Sequence, residues 1–153
     1  MKVKEDMMSR PVRDYLTRIG YTKVYEEVPV FHCVMDMYGS NPTAGETAAV
    51  EMKVSNWRRA VRQARIYQLC ADAVYIAIHE DYAHRVCLDQ LRKTGLGLLV
   101  VSVGRSGRGS GDVLERLPAS ASSIRRDYYV ESLLDDLGGK DGREARSPAG
   151  MLA

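Results

Sequence analysis

From Ala48 to Val54 the chain sets Val50, Met52 and Val54 against Glu51 and Lys53 in strict alternation. Successive side chains of a strand point to opposite faces, so one face is apolar and the other carries a carboxylate beside an ammonium. An amphipathic helix follows, and after it Ala73–His79 is a continuous apolar run, the pattern of a strand covered on both faces. A strand, a helix and a buried strand in succession call for a sheet with helices packed on it. Glu51 and Lys53 must then sit within a layered structure, where an ion without a partner costs solvation energy.

The remaining elements follow from the same periodicities. Ser9 is a cap candidate with Pro11 in the first turn, and Val12, Tyr15, Leu16 and Ile19 recur at helical spacing up to Gly20. Thr22–Phe31 and His32–Tyr38 read as strands, with Pro29 pointing to an edge or a bulge. Gly39-Ser40-Asn41-Pro42-Thr43-Ala44-Gly45 is a dense turn signal, so Asp36 and Glu51 belong to neighbouring antiparallel strands. Ser55 or Asn56 caps a second helix reaching about Ala71. Its apolar stripe is Trp57, Ala60, Val61, Ala64, Tyr67 and Ala71, with Arg58, Arg59, Arg62 and Arg65 opposite and Gln63 at the border. A helix over Asp81–Thr94 ends at Gly95, and Leu96–Val103 is another buried strand. The order αβββαβαβ gives an α/β fold with a mixed central sheet flanked by helices. Val113–Leu117 reads as a short edge strand and Ser123–Leu137 as a terminal helix. Residues 1–137 form one domain, and the polar stretch 138–153 is expected to be disordered.

Composition removes several function classes. Cys33, Cys70 and Cys87 are far apart and odd in number, which argues against a disulfide framework, a zinc ribbon or a cysteine-held cluster. No apolar stretch approaches a membrane span and the charged start is no signal peptide, so a cytoplasmic, soluble protein is expected. A net charge of +2 is too small to argue nucleic-acid binding by itself.

A divalent metal held by Asp36 and Glu51, beside Lys53, would supply the partner these charges need. Taken with Gln63-x-x-x-Tyr67 on the next helix and the buried strand after it, the chain resembles the PD-(D/E)XK nuclease superfamily, in the branch typified by RecB-type nuclease domains. The resemblance covers about residues 10–104. It implies a restriction-endonuclease-like αβββαβ core and a Mg²⁺- or Mn²⁺-dependent hydrolysis of DNA phosphodiesters. Asp36, Glu51 and the Met52 backbone carbonyl would ligate the ion. Lys53 would orient the attacking water and offset developing charge. Gln63 would steady that water or the substrate, with Tyr67 packing nearby or touching the phosphate. The superfamily often adds a glutamate from the first helix or first strand, for which Glu27 is the candidate and Glu26 the alternative. Met35 stands where the motif's name has proline, and the cysteines lack that branch's cluster pattern.

Arg58, Arg62 and Arg65 are either phosphate contacts or a solvated face. Trp57 reads as a core anchor, and His79, Glu80, Asp81 and His84 as a solvated loop rather than a zinc site. Gly107-Arg108-Gly109 lacks a following Gly-Lys-Ser/Thr, so no nucleotide cofactor is expected. Cutting both strands of a duplex at once would need two copies, hence a homodimer expectation. A rival reading keeps the fold without the chemistry, as a nucleic-acid-binding or assembly subunit.

Overall fold

The computed structural model describes residues 2–104 and 111–138. Six strands form one sheet in the order of the chain. They are β1 (Lys23–Val30), β2 (Cys33–Asn41), β3 (Glu46–Lys53), β4 (Ala73–His79), β5 (Gly97–Val103) and β6 (Gly111–Leu117). The pairs β1–β2, β2–β3 and β5–β6 are antiparallel, while β3–β4 and β4–β5 are parallel, so the sheet is mixed. The two parallel steps are the ones bridged by helices, as parallel pairing requires.

The helices are α1 (Ser9–Arg18), α2 (Trp57–Tyr67), α3 (Leu88–Thr94) and α4 (Asp127–Gly138), preceded by a 3-10 turn at Glu5–Met8. Two core clusters lie on opposite faces of the sheet. One joins Val12 and Leu16 of α1 to Val50, Met52, Ala77 and Leu99. The other joins Trp57, Ala64 and Tyr67 of α2, Leu91 of α3 and Leu133 of α4 to Ala49, Ile76 and Leu98. The alternation in β3 holds: Val50 and Met52 join the α1 side, and Glu51 turns to Tyr67 on the α2 side. Among the described residues no helix is long and apolar enough to cross a membrane.

Several boundaries differ from the sequence reading. Ser9 is not a cap, because the chain is already helical at Met8 and Ser9 opens α1 directly. Gly39, Ser40 and Asn41 belong to β2, leaving a turn at residues 42–45. Gly39 is needed inside the strand, since a Cβ there would meet the Tyr21 Cβ at 2.9 Å. Asn56, rather than Ser55, caps α2, accepting the Arg59 N–H at 3.2 Å, and α2 stops at Tyr67. The expected helix over Asp81–Thr94 is a 3-10 turn at Ala83–Arg85 followed by α3, with Val86 and Cys87 extended between them. Val86 and Leu88 both pack into the same core. One continuous helix would point those two residues about 200° apart. α4 starts only at Asp127 and runs through Gly138, so Gly138 is not part of a disordered tail. The Gly107–Gly109 loop and residues 139–153 lie outside the described residues.

Gly97, at the start of β5, fixes how closely the end of the sheet is packed. A Cβ there would lie 2.5 Å from the Tyr75 ring and 2.6 Å from the Ala119 backbone nitrogen. The backbone cannot yield cheaply, and overpacking of this kind costs about 1–3 kcal/mol. Gly97→Ala should lower the urea midpoint accordingly without moving the acidic residues of β2 and β3. An unchanged midpoint would show that β5 and the following loop separate freely.

Candidate active site

The site forms where β1, β2 and β3 depart from regular pairing. The β2–β3 ladder ends at Met37↔Val50. One position on, the Met52 N–H donates to the Asp36 carboxylate at 2.7 Å instead of to a strand carbonyl. Asp36 thus holds the two strands together at the point where they part. On its other side, Glu26↔Met37 and Val28↔Met35 are paired, while Glu27 and Asp36 face each other without a ladder pair.

Glu27 has φ 53°, a left-handed conformation uncommon outside glycine and asparagine. It turns the strand over. Tyr25 and Val28 share one core cluster although they are three residues apart, and Met35 and Tyr38 do the same on β2. Regular alternation would put each pair on opposite faces. With this double inversion Glu26 and Glu27 both line one cavity of about 250 Å³ with Glu5, Asp6, Ser9, Asp36 and Met52. Glu26 is occupied by Arg13 of α1 at 2.8 Å, and Glu27 is exposed.

Glu51 is 2% exposed. Tyr67 of α2 reaches it, its hydroxyl donating at 2.8 Å to Glu51 Oε1 and lying 3.1 Å from the Val34 carbonyl. Long helical side chains lean toward the helix N-terminus, which carries this phenol along β3 toward Glu51. Lys53 Nζ lies 3.5 Å from Glu51 Oε2 and 3.6 Å from Glu5 Oε1. Glu5 comes from the 3-10 turn within the charged start, to which the sequence reading assigns no part in the site. The acidic first turn Glu5-Asp6 ahead of α1 was the available signal.

The electrostatics are those of two carboxyls too close to ionise together. Asp36 and Glu51, on adjacent strands, each bear on the other's ionisation. Burial, then the Asp36 charge, push Glu51 up to about 7, against the pull of Tyr67 and Lys53. Burial also raises Asp36, opposed mainly by the Met52 N–H and Lys53. As a pair they retain one proton well above the usual carboxylate range. Burial and the Glu51 carboxylate push the Tyr67 phenol upward, so it stays a donor.

The two carboxylates are hard oxygen donors of the kind a divalent cation takes, and such an ion held by them would stand in place of the retained proton. Among the described residues no three His, Cys, Asp or Glu side chains converge as a metal site. A two-carboxylate set completed by a carbonyl and by substrate oxygens is the kind Mg²⁺ accepts. Gln63 is one turn before Tyr67 on α2, and its Oε1 is buried without a hydrogen-bond partner. An unpaired buried carbonyl oxygen needs a donor, such as a water.

The structure does not bring the α2 arginines to this cavity. Arg58 lies over the Trp57 ring at 4.6 Å, Arg62 is exposed, and the Arg65 Nε donates to Gln68 at 2.8 Å. Trp57 is a buried core anchor. His79 is not in a solvated loop: it is buried, with Nδ1 accepting the Asp81 N–H at 3.2 Å. The three cysteines are free.

Glu51 titrates with a definite sign. Its folded pKa lies above the unfolded value, so its contribution to stability is fully present below about 4.5 and is lost as pH rises through about 7. Ion-free wild type should therefore lose stability relative to Glu51→Gln between pH 5 and pH 8, by on the order of 2 kcal/mol. Thermal melts of both proteins in EDTA across that range measure it. Parallel curves would mean that Glu51 is ionised throughout.

No family model matches the chain, and no curated protein matches it in sequence. Among solved structures it is similar to a protein of unknown function from Silicibacter pomeroyi, at TM-score 0.64 and 18% identity over 88% of this chain and 84% of that one. That likeness shows the fold. SfsA of Pyrococcus furiosus, solved in complex with Ca²⁺, aligns at TM-score 0.40 and 11% identity over 76% of this chain and 61% of that one. An overlap of that quality carries no argument about either site. The mixed six-stranded α/β architecture is therefore what observation and comparison share.

Proposed function

We propose that the chain is a metal-dependent nuclease that hydrolyses DNA phosphodiesters at Asp36, Glu51 and Lys53. The observation that supports this most is the Asp36–Glu51 pair on adjacent strands, each carboxylate held by its own hydrogen bond, beside a half-buried lysine. Such a pair destabilises the fold at neutral pH unless a cation joins it, and the supporting contacts from Met52 and Tyr67 hold it in place nonetheless. Asp36, Glu51 and the Met52 carbonyl would hold Mg²⁺ or Mn²⁺, which when bound supplies Lewis-acid activation of water and of the phosphate oxygens.

The protein's own groups have separable parts. Tyr67 fixes the Glu51 carboxylate, and the Met52 N–H fixes that of Asp36. Lys53 lies between Glu51 and Glu5, where it can orient a water by hydrogen bonding and meet negative charge building on the phosphorus oxygens. Gln63 has a free acceptor for a water proton. The rival reading, a catalytically silent nucleic-acid-binding or assembly subunit, leaves the buried acid pair without a purpose.

Incubation of circular and linear DNA with Mg²⁺, Mn²⁺ or EDTA tests the reading directly. Cleavage should need the ion, and Asp36→Asn should lower it by orders of magnitude while the fold survives. Lys53→Ala separates the two readings. Loss of a donor to transition-state charge typically costs about 3–4 kcal/mol, roughly two to three orders of magnitude in rate. Single-turnover cleavage should fall by that factor while equilibrium DNA binding changes little. A Lys53→Ala protein that binds less tightly yet cuts as fast when saturated refutes the chemical role.

A further inference from the structure

The cavity beside Asp36 is strongly acidic and by itself repels a polyanion. It is lined by five carboxylates, Glu5, Asp6, Glu26, Glu27 and Asp36. Among the described residues, the cations paired with these acids are Arg13, committed to Glu26, and Lys53, shared by Glu5 and Glu51. A nucleic-acid strand brought to these acids would be repelled along its neighbouring phosphates, so its binding energy has to come from elsewhere on the surface.

A second cavity, of about 280 Å³, has the opposite character. It lies at the C-terminal ends of α2 and α3, where the segment Ser120–Ile124 crosses them. Arg65, Arg92 and Lys93 line it together with Ser120, Ser122 and Ser123, and none of its lining residues is acidic. The floor is built rather than incidental. Gln68 is 5% exposed, accepts from the Arg65 Nε at 2.8 Å and donates to the Thr94 carbonyl at 2.7 Å. The Ser122 hydroxyl donates to the Gln68 carbonyl at 2.6 Å, tying the serine segment to the same point. Arg65 is thereby aimed across the cleft with its terminal nitrogens still available as donors. Arg92 has one contact, to the exposed Asp89 at 2.9 Å.

We infer that this cleft binds phosphate groups of a nucleic-acid backbone and anchors the strand at a distance from the acids. The inference rests on the reading of the chain as a protein that acts on nucleic acid. Three cations lining a polar cavity of this size suit the oxygens of a phosphodiester, and guanidinium groups bind them in pairs. The cleft also divides the α2 arginines. Arg65 belongs to it, whereas Arg58 and Arg62, on the same helix, do not.

The test is metal-free equilibrium binding of a labelled single-stranded oligonucleotide and of its duplex, in EDTA over a salt series. The proteins are wild type, Arg92→Gln/Lys93→Gln, and the charge-matched control Arg58→Gln/Arg62→Gln. All four side chains are exposed, so folding should be kept. The cleft variant should flatten the slope of log affinity against log salt by about 0.7–0.9 per lost contact, about 1.4–1.8 in all, with little change in the control. An unchanged slope, an equal loss in the control, or no binding by wild type overturns the inference. Titration with inorganic phosphate distinguishes the source: a cleft variant that loses phosphate but keeps the full nucleic-acid slope marks a small-anion site and also overturns it. Slope loss in the cleft variant, together with a wild type that cuts nothing in Mg²⁺ or Mn²⁺, leaves the cleft standing while the nuclease reading falls.

Discussion

The arrangement of the first three strands depends on one hydrogen bond, from the Met52 N–H to the Asp36 carboxylate. It replaces a ladder bond at the point where β2 leaves β3, so the strands fork without leaving a buried amide unpaired. Because the acceptor is a side chain, the fork presents carboxylate oxygen where a regular sheet would present backbone. Glu27, left-handed and directly opposite, lets β1 follow the same turn. Two acidic strands are thus bent around one point, and Glu51 on the third is left facing the gap.

Glu51 shows how the fold tolerates a charge it has buried. Its oxygens meet a phenol that stays protonated and an ammonium, while Asp36 beside it pushes a proton onto the pair. Tyr67 has one proton and two acceptors in reach, Glu51 and the Val34 carbonyl. When Glu51 ionises, the phenol can turn to it; when Glu51 is protonated, the phenol can serve Val34. The loading of the pair is therefore coupled to a hydrogen bond on β2, two residues from Asp36.

Periodicity carried much of this architecture into the sequence. The apolar run Ala73–His79 and the alternation around Glu51 are local patterns, and they mark β4 and β3 closely. Tyr67 was brought near the site only by the resemblance that Gln63-x-x-x-Tyr67 carries, as packing nearby or touching the phosphate, and its bond to Glu51 is a tertiary contact. What could not be read off depended on tertiary contact. Alternation cannot announce its own inversion, so the pairing of Glu26 with Glu27 around one cavity stayed open until the left-handed residue was seen. Helical spacing ran through Val86 because nothing local forbids it, whereas the sheet requires both Val86 and Leu88. Glu5 and the Arg65–Arg92–Lys93 cleft join residues distant in sequence, where no periodicity operates.

The Lys53–Glu5 contact ties the lysine to two different parts of the fold. Glu5 belongs to the 3-10 turn ahead of α1, whereas Glu51, the lysine's other partner, belongs to the sheet. The carboxylates of the site are anchored by hydrogen bonds within the layers, from Met52 and from Tyr67. The ammonium has no such anchor in the sheet alone, so any displacement of that turn changes the company Lys53 keeps while leaving the acids where they are.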